Sequence, residues 1–217
     1  MKLKITTLSI FFFLLSLSSF SQLLGESAKQ TYKSENLKES IEKHKIVAIL
    51  PFKSTISYKR MPKNFDPEAS KGEEKTLSLS MQQGMYTYLL RKADKFTVTF
   101  QDIERTNILL KQAKAYDSLD LYLPDSLCKI LKVDAVIRCN YAYEKTGSEA
   151  GAIAKTLLLG VGGKTGSGSL TMQINNGLDG ELLWRFYKEM NENFTSNASE
   201  VMERMMKKVA RNFPYEK

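Results

Sequence analysis

The segment Leu157-Leu158-Leu159-Gly160-Val161-Gly162-Gly163-Lys164-Thr165-Gly166-Ser167-Gly168 holds the nearest approach to a ligand-binding motif in this sequence. Gly163-Lys164-Thr165 imitates the end of a phosphate-binding loop, whose backbone N–H groups and lysine cradle a phosphate chain. That motif needs its first glycine at position 158, which is Leu. It also needs a strand before and a helix after, whereas an apolar run through Ala152-Ile153-Ala154 precedes this loop and a strand follows. Nucleotide binding is not expected. Two readings stay open: a plain glycine loop, or an interaction element at Leu157, Leu158, Leu159, Gly160, Val161, Gly162 and Gly163. Ala150 to Val161 is too short to span a bilayer but suits a partner surface or a membrane interface.

Other chemistry is poorly supplied. His44 is the one histidine, so a multi-His metal site or paired imidazoles cannot be built within one chain. A Ser–His–acid triad would have to use His44, which sits on a short helix ahead of the first strand. Cys128 and Cys139 form no C-x-x-C pair. Their placement on a helix and on the following strand separates them by more than a disulfide can bridge, so two free, buried thiols are expected. The acids Glu73, Glu74, Glu200 and Glu203 lie on helix surfaces and read as solvated faces rather than a paired-carboxylate site. No catalytic residue, cofactor or metal is expected, and the protein reads as a non-enzyme. The rival reading is a secreted hydrolase whose carboxylates the fold brings together.

With 217 residues, 42% hydrophobic and 26% charged, the chain can bury a core without disulfides and is not a disordered polymer. Its start is an address. Lys2 and Lys4 precede an apolar stretch from Ile5 to about Leu17, and Ser18-Ser19-Phe20-Ser21 supplies the small residues before a cut at Gln22. Residues 1–21 are therefore expected to be a cleaved signal peptide, leaving no transmembrane span. No Cys lies near the cut to take a lipid. Cleavage removes two lysines and lowers the net charge from +8 to +6. The expected location is the periplasm or the outer-envelope surface, and the expected partner an envelope protein or a cell-wall or lipid surface. Export argues against nucleic acid despite the basic balance.

The elements that must position any site follow from periodicity. Residues 22–34 are polar and read as loose, and 35–44 as a short helix with Leu37 and Ile41 on one face. Ile46 to Phe52 is a doubly buried strand ended by Pro51. The polar stretch 53–72 reads as a long loop. Thr76 to Ala93 carries an apolar helical stripe, 96–100 alternates as a strand, and Asp102 caps a helix through Ala113. Short helices near 117–123 and 125–131 lead to a strand from Val133 to Tyr143 with Ala135, Ile137, Cys139, Tyr141 and Tyr143 on one face. Strands 169–175 and 181–190 make a hairpin around Asn175 to Gly180. Asn197 with Glu200 resembles a capping box for a last helix whose face is Met202, Met205, Met206, Val209 and Phe213. The expected fold is α/β (α+β): a mixed sheet of about five strands flanked by helices, with a late hairpin and a C-terminal helix. The expected organisation is the leader 1–21, a segment 22–45 and one domain from 46 to 217.

Val47-Ala48-Ile49-Leu50-Pro51-Phe52, Val133-Asp134-Ala135-Val136-Ile137-Arg138-Cys139 and Leu178-Asp179-Gly180-Glu181-Leu182-Leu183-Trp184 resemble bacterial envelope accessory proteins related to CsgG, LpoB and the N-terminal domain of TolB. The terminal Asn212-Phe213-Pro214-Tyr215 looks like that of Bacteroidetes-type exported proteins. The resemblance covers about 45–213 and implies an α/β binding or assembly module with no catalytic residues to carry over. It also implies two further outcomes, a homo-oligomer and an envelope ring component. Asp117-Ser118-Leu119 and Asp125-Ser126-Leu127 resemble a periplasmic O-glycosylation acceptor pattern, which would put sugar on Ser118 or Ser126. Helix N-caps account for both more simply.

Overall fold

A computed structural model describes residues 29–145, 166–192 and 198–217. The leader 1–21, the interaction element Leu157 to Gly163, and Asn197 lie outside these residues. In chain order the elements are β1 (Lys29–Lys33), α1 (Leu37–Lys43), β2 (Ile46–Ile49), β3 (Lys53–Tyr58), α2 (Pro67–Leu90), a single 3-10 turn (Ala93–Lys95), β4 (Thr99–Phe100) and α3 (Ile103–Gln112). A 3-10 helix (Tyr116–Leu121), α4 (Pro124–Leu131), β5 (Ala135–Lys145), β6 (Gly166–Asn176), β7 (Leu182–Glu192) and α5 (Ala198–Ala210) complete them. The described strands form a mixed seven-stranded sheet, ordered β1-β7-β6-β5-β2-β4, with β3 also on β5.

The two crossovers explain why helices lie on both faces. From β2 the chain passes through α2 to β4 at the sheet's edge, then returns through α3 and α4 to β5 on the far side of β2. Crossovers are right-handed, so reversing direction along the sheet moves the helix to the opposite face. Accordingly Met81, Met85 and Leu89 of α2 join Met202, Met205 and Val209 of α5 over Val47, Ile49, Ile137 and Trp184. Leu110, Leu127 and Leu131 cover Ala48, Leu50 and Val136 from the other side. The larger core closes on an aromatic cluster in which Phe213 packs against Phe96, Phe100, Trp184 and Tyr215.

β2 and β3 are one line of chain interrupted at Pro51. Both run parallel to β5, but Leu50, Pro51 and Phe52 stand opposite only Arg138 and Cys139. Proline cannot donate to the ladder, so the extra residue is accommodated where the N–H is missing. β4 pairs with Ile46 and Val47 alone. Past that point no described strand lies beside the outer side of β2–β3, and an open edge invites pairing with another chain. A polar stripe on α2, at intervals of four residues, closes it. Glu74 Oε1 accepts from the Ile56 N–H (2.8 Å), Ser78 Oγ from the Ser54 N–H (3.3 Å), and Gln82 Nε2 donates to the Ile49 carbonyl (2.9 Å). Gln82 and Asn107 also exchange amide hydrogen bonds at 3.1 and 3.0 Å, tying α2 to α3.

Several expectations need correction. β1 lies in the stretch read as loose, and β3 in the stretch read as a loop. Both are polar: every residue of β1 is exposed, and β3 buries only alternate residues, so neither shows a doubly apolar strand. α2 begins nine residues early, at Pro67, with Asp66 accepting from the Glu68 and Ala69 N–H groups. Its first turns face water, so the apolar stripe starts only at Leu77. The strand read at 96–100 shortens to Thr99–Phe100, although Phe96 bridges to Glu216. Gly166 and Gly168 are strand residues, not loop. A Cβ on Gly168 would lie 2.8 Å from the Tyr141 hydroxyl, so glycine makes room there for the buried tyrosine.

Candidate sheet-face interface

The helices over the second face cover only the starts of β2 and β5. From Arg138 outward no helix among the described residues covers that face of the sheet, and the register sets its residues in rows. Lys53, Asn140, Thr171, Tyr187 and Gln30 stand side by side on β3, β5, β6, β7 and β1. Arg138, Gln173, Arg185 and Tyr32 form the row on one side, and Thr55, Ala142, Ser169 and Glu189 the row on the other. All are half-buried or exposed, while the alternating residues Ile137, Cys139, Tyr141 and Tyr143 are buried beneath. The centre of the face is small and polar, and its charges stand towards the rim.

A cleft of about 530 Å³ lies where this face meets the 3-10 helix, between Pro51, Lys75, Tyr116, Asp117 and Arg138. Arg138 holds its wall: Nη2 donates to the carbonyls of Leu119 (3.1 Å) and Tyr122 (2.8 Å). Burial lowers its pKa, and the charge of Asp120 opposes that shift. Lys53 pairs with Asp120 across the mouth. The Lys111 ammonium sits 5.0 Å from the centre of the Tyr116 ring. Leu121 and Leu123, 84% and 69% exposed, belong to the 3-10 helix and the turn after it. These groups can recognise a surface by hydrogen bonds, charge and apolar contact.

Among the described residues, the candidate catalytic groups stand apart rather than together. His44 is buried. Its Nε2 donates to Asn176 Oδ1 (3.2 Å), an oxygen that also accepts the Leu178 N–H (3.4 Å), and the Tyr215 hydroxyl donates to Nδ1 (2.8 Å). Burial lowers the His44 pKa and raises that of Tyr215. The histidine therefore latches the C-terminal tail to the hairpin. Glu73 binds Lys145 at 2.6 and 2.9 Å, Glu74 serves the β3 edge, and Glu203 pairs with Arg91 at 2.9 Å. Burial opposes the charge on Lys145, but the Glu73 hydrogen bond and charge outweigh it and raise its pKa.

Cys128 and Cys139 are free and buried, one in each core, on opposite faces of the sheet. Burial pushes the Cys128 thiol up to about 12 and raises Cys139 as well. Asp117 and Asp125 are not caps. The 3-10 helix opens after Ala115 and α4 after Leu123, neither with a side-chain cap, and Asp125 instead pairs with Lys129 at 2.9 Å. Ser118 Oγ donates to the Lys114 carbonyl, and Ser126 lies half-buried in the first turn of α4.

Among the described residues no group of three or more His, Cys, Asp or Glu could hold a metal ion. Among them, too, no helix is long and apolar enough to cross a membrane. The open face escaped the sequence because alternation of Ser, Thr, Asn and Gln reads as an ordinary wet sheet. Composition gave no separate signal either, because Lys53, Arg138 and Arg185 keep cations in the three rows.

No protein-family model matches the chain, and no curated protein matches it. Solved structures do. The lipoprotein GNA1162 from Neisseria meningitidis is similar at 13% identity over 77% of this chain and 96% of that one, with a TM-score of 0.45. The PelC dodecamer from Paraburkholderia phytofirmans aligns at 9% identity over 88% and 99%, with a TM-score of 0.44. The LpoB C-terminal domain from Salmonella enterica aligns at 9% over 69% and 84%, with a TM-score of 0.35. Likenesses of this size assign no activity.

Proposed function

We propose that this chain is an exported, envelope-associated protein that binds its partner without transforming it, and that the uncovered sheet face is its contact surface. The observation that carries the reading is the make-up of that face. Charged residues are depleted at the centre of recognition surfaces and lie towards a polar rim. The central rows here hold Asn140, Thr171, Ala142 and Ser169, with Lys53, Arg185 and Glu189 nearer the margin. Five hydrogen-bonded strands make the platform rigid, so a partner binds it with little ordering cost. The leader pattern of residues 1–21 and the three envelope-protein-like segments support the location.

Those three segments have structural roles that agree with an accessory module. Pro51 sets the bulge between β2 and β3. Asp134 Oδ2 accepts from the Lys45 and Ile46 N–H groups at 2.7 and 2.8 Å and so fixes the entry of β2. Trp184 is buried and stacks on Phe186, with ring centres 5.9 Å apart. Leu157 to Gly163 is proposed as a second contact element.

The test is a photo-crosslinking residue placed at Thr171 in living cells, with the same residue at Glu104 on exposed α3 as control. An adduct in the envelope fraction from position 171 alone is the expected result. Equal labelling at both positions, no adduct at either, or an uncut N-terminus in the cytosol would overturn the reading.

A further inference from the structure

The two long sides of α1 carry opposite character. On one side a groove of about 560 Å³ runs between α1 and the C-terminal tail, floored by Leu37, Ile41, Phe213 and Pro214. The exposed cations Lys33, Lys38, Arg211 and Lys217 outnumber the acids Glu35 and Glu216 along its rim. Ser34 lines the same groove, is 8% exposed, and its Oγ has no hydrogen-bond partner among the described residues. On the other side of α1, beside Asn36, Ser40 and Lys43, stands the tip of the β6–β7 hairpin. It presents Leu178, 84% exposed, with Asp179 and Glu181.

We propose that two copies of this chain pair about a two-fold axis through α1, with the hairpin tip of each seated in the groove of the other. A two-fold rotation reverses the order acidic tip, α1, cationic groove, so each feature meets its complement and the interface closes on itself. Leu178 of one copy meets the apolar floor formed by Leu37 and Phe213 of the other. Asp179 faces the cationic rim at Arg211. Charge makes the choice of occupant. On a chain of net charge +8, or +6 without residues 1–21, like copies repel unless acids on one are brought against cations on the other. This surface is separate from the open sheet face, so its failure leaves the binding reading of that face intact.

Native mass measurement and sedimentation equilibrium test the pairing on the natively purified protein expressed from the full sequence, at up to about 100 μM. A mass of two chains is expected. Leu178→Ser, at a position too exposed to affect folding, should raise the dissociation constant at least about 100-fold, because the leucine is lost twice. Arg211→Glu and Asp179→Lys should each be monomeric alone. Mixed together they should form a heterodimer, since both tip-to-groove pairs are then attractive. A wild-type monomer, a mass above two chains, or an unchanged Leu178→Ser dimer overturns the proposal. So does failure of the two charge variants, each with a wild-type circular dichroism spectrum, to pair when mixed.

Discussion

Replacing Gln82 by alanine tests the idea that α2 seals the β2–β3 edge. The side chain is fully buried and makes three hydrogen bonds, one to the Ile49 carbonyl and two with Asn107. Ile49 is also fully buried, so its carbonyl would lose a partner that water cannot easily replace, at a cost of about 1–3 kcal/mol. Asn107 is only half-buried and recovers part of its hydrogen bonding from water, which adds about 0.5–1 kcal/mol. Loss of the packed side chain brings the expected total to about 3 kcal/mol. With a urea slope of about 2 kcal/mol per molar, the unfolding midpoint falls by about 1.5 M at unchanged slope. Gln82→Met keeps the volume and isolates the hydrogen-bond part, so it should cost about 1–2 kcal/mol. The decisive measurement is the cycle with Asn107→Ala. Because the two amides bind each other, the double variant should lose about 1 kcal/mol less than the sum of the singles. A Gln82→Ala cost below about 1 kcal/mol, or strict additivity with Asn107→Ala, would refute the reasoning.

The His44 latch predicts acid sensitivity. Burial holds its folded pKa below the unfolded value, so the contribution is fully present above about pH 6.5 and is lost as pH falls from there towards the lower folded value. Urea midpoints measured between about pH 7.5 and 5 should decline less steeply for His44→Gln than for the wild type, and parallel curves would remove the histidine from the account. The two thiols, buried with raised pKa values, should resist a maleimide in the folded protein and react after denaturation. A mass shift of two maleimides in the native state, or a 128–139 disulfide under non-reducing conditions, would contradict their placement on opposite faces of the sheet.

The inner half of the sheet was legible because burial on both faces leaves continuous or strictly alternating apolar runs. Val47 to Ile49, the inward residues of β5 and the methionine face of α5 fall where the pattern places them, whereas Ile46 is exposed and the strand stops short of Phe52. Polar strands hide. β1 is held by backbone pairing to β7, and its side chains carry no record of that bond. β3 was hidden by the same polarity, although Glu74, Ser78 and Gln82 at intervals of four on α2 mark the edge it forms. Asp66-Pro67-Glu68 does announce a helix start, with a cap, a proline at the first helical position and an acid in the first turn. The following two turns lack an apolar face, so periodicity alone discards that signal. The candidate interface is a property of register across five strands, and no single segment contains it.

The partners of β1 and of the aromatic cluster come very late in the chain. Lys29 waits for Lys188, the Ser34 N–H for the Leu183 carbonyl, and the Thr97 N–H for the Tyr215 carbonyl. A polypeptide delivered from its N-terminus thus has nothing to lock its beginning until its final stretch arrives. Such wide separation between contacting residues slows closure and prolongs the unfolded interval. It also means that trimming or masking residues 213–217 would free the Phe96-Thr97 segment and the His44 side chain at once.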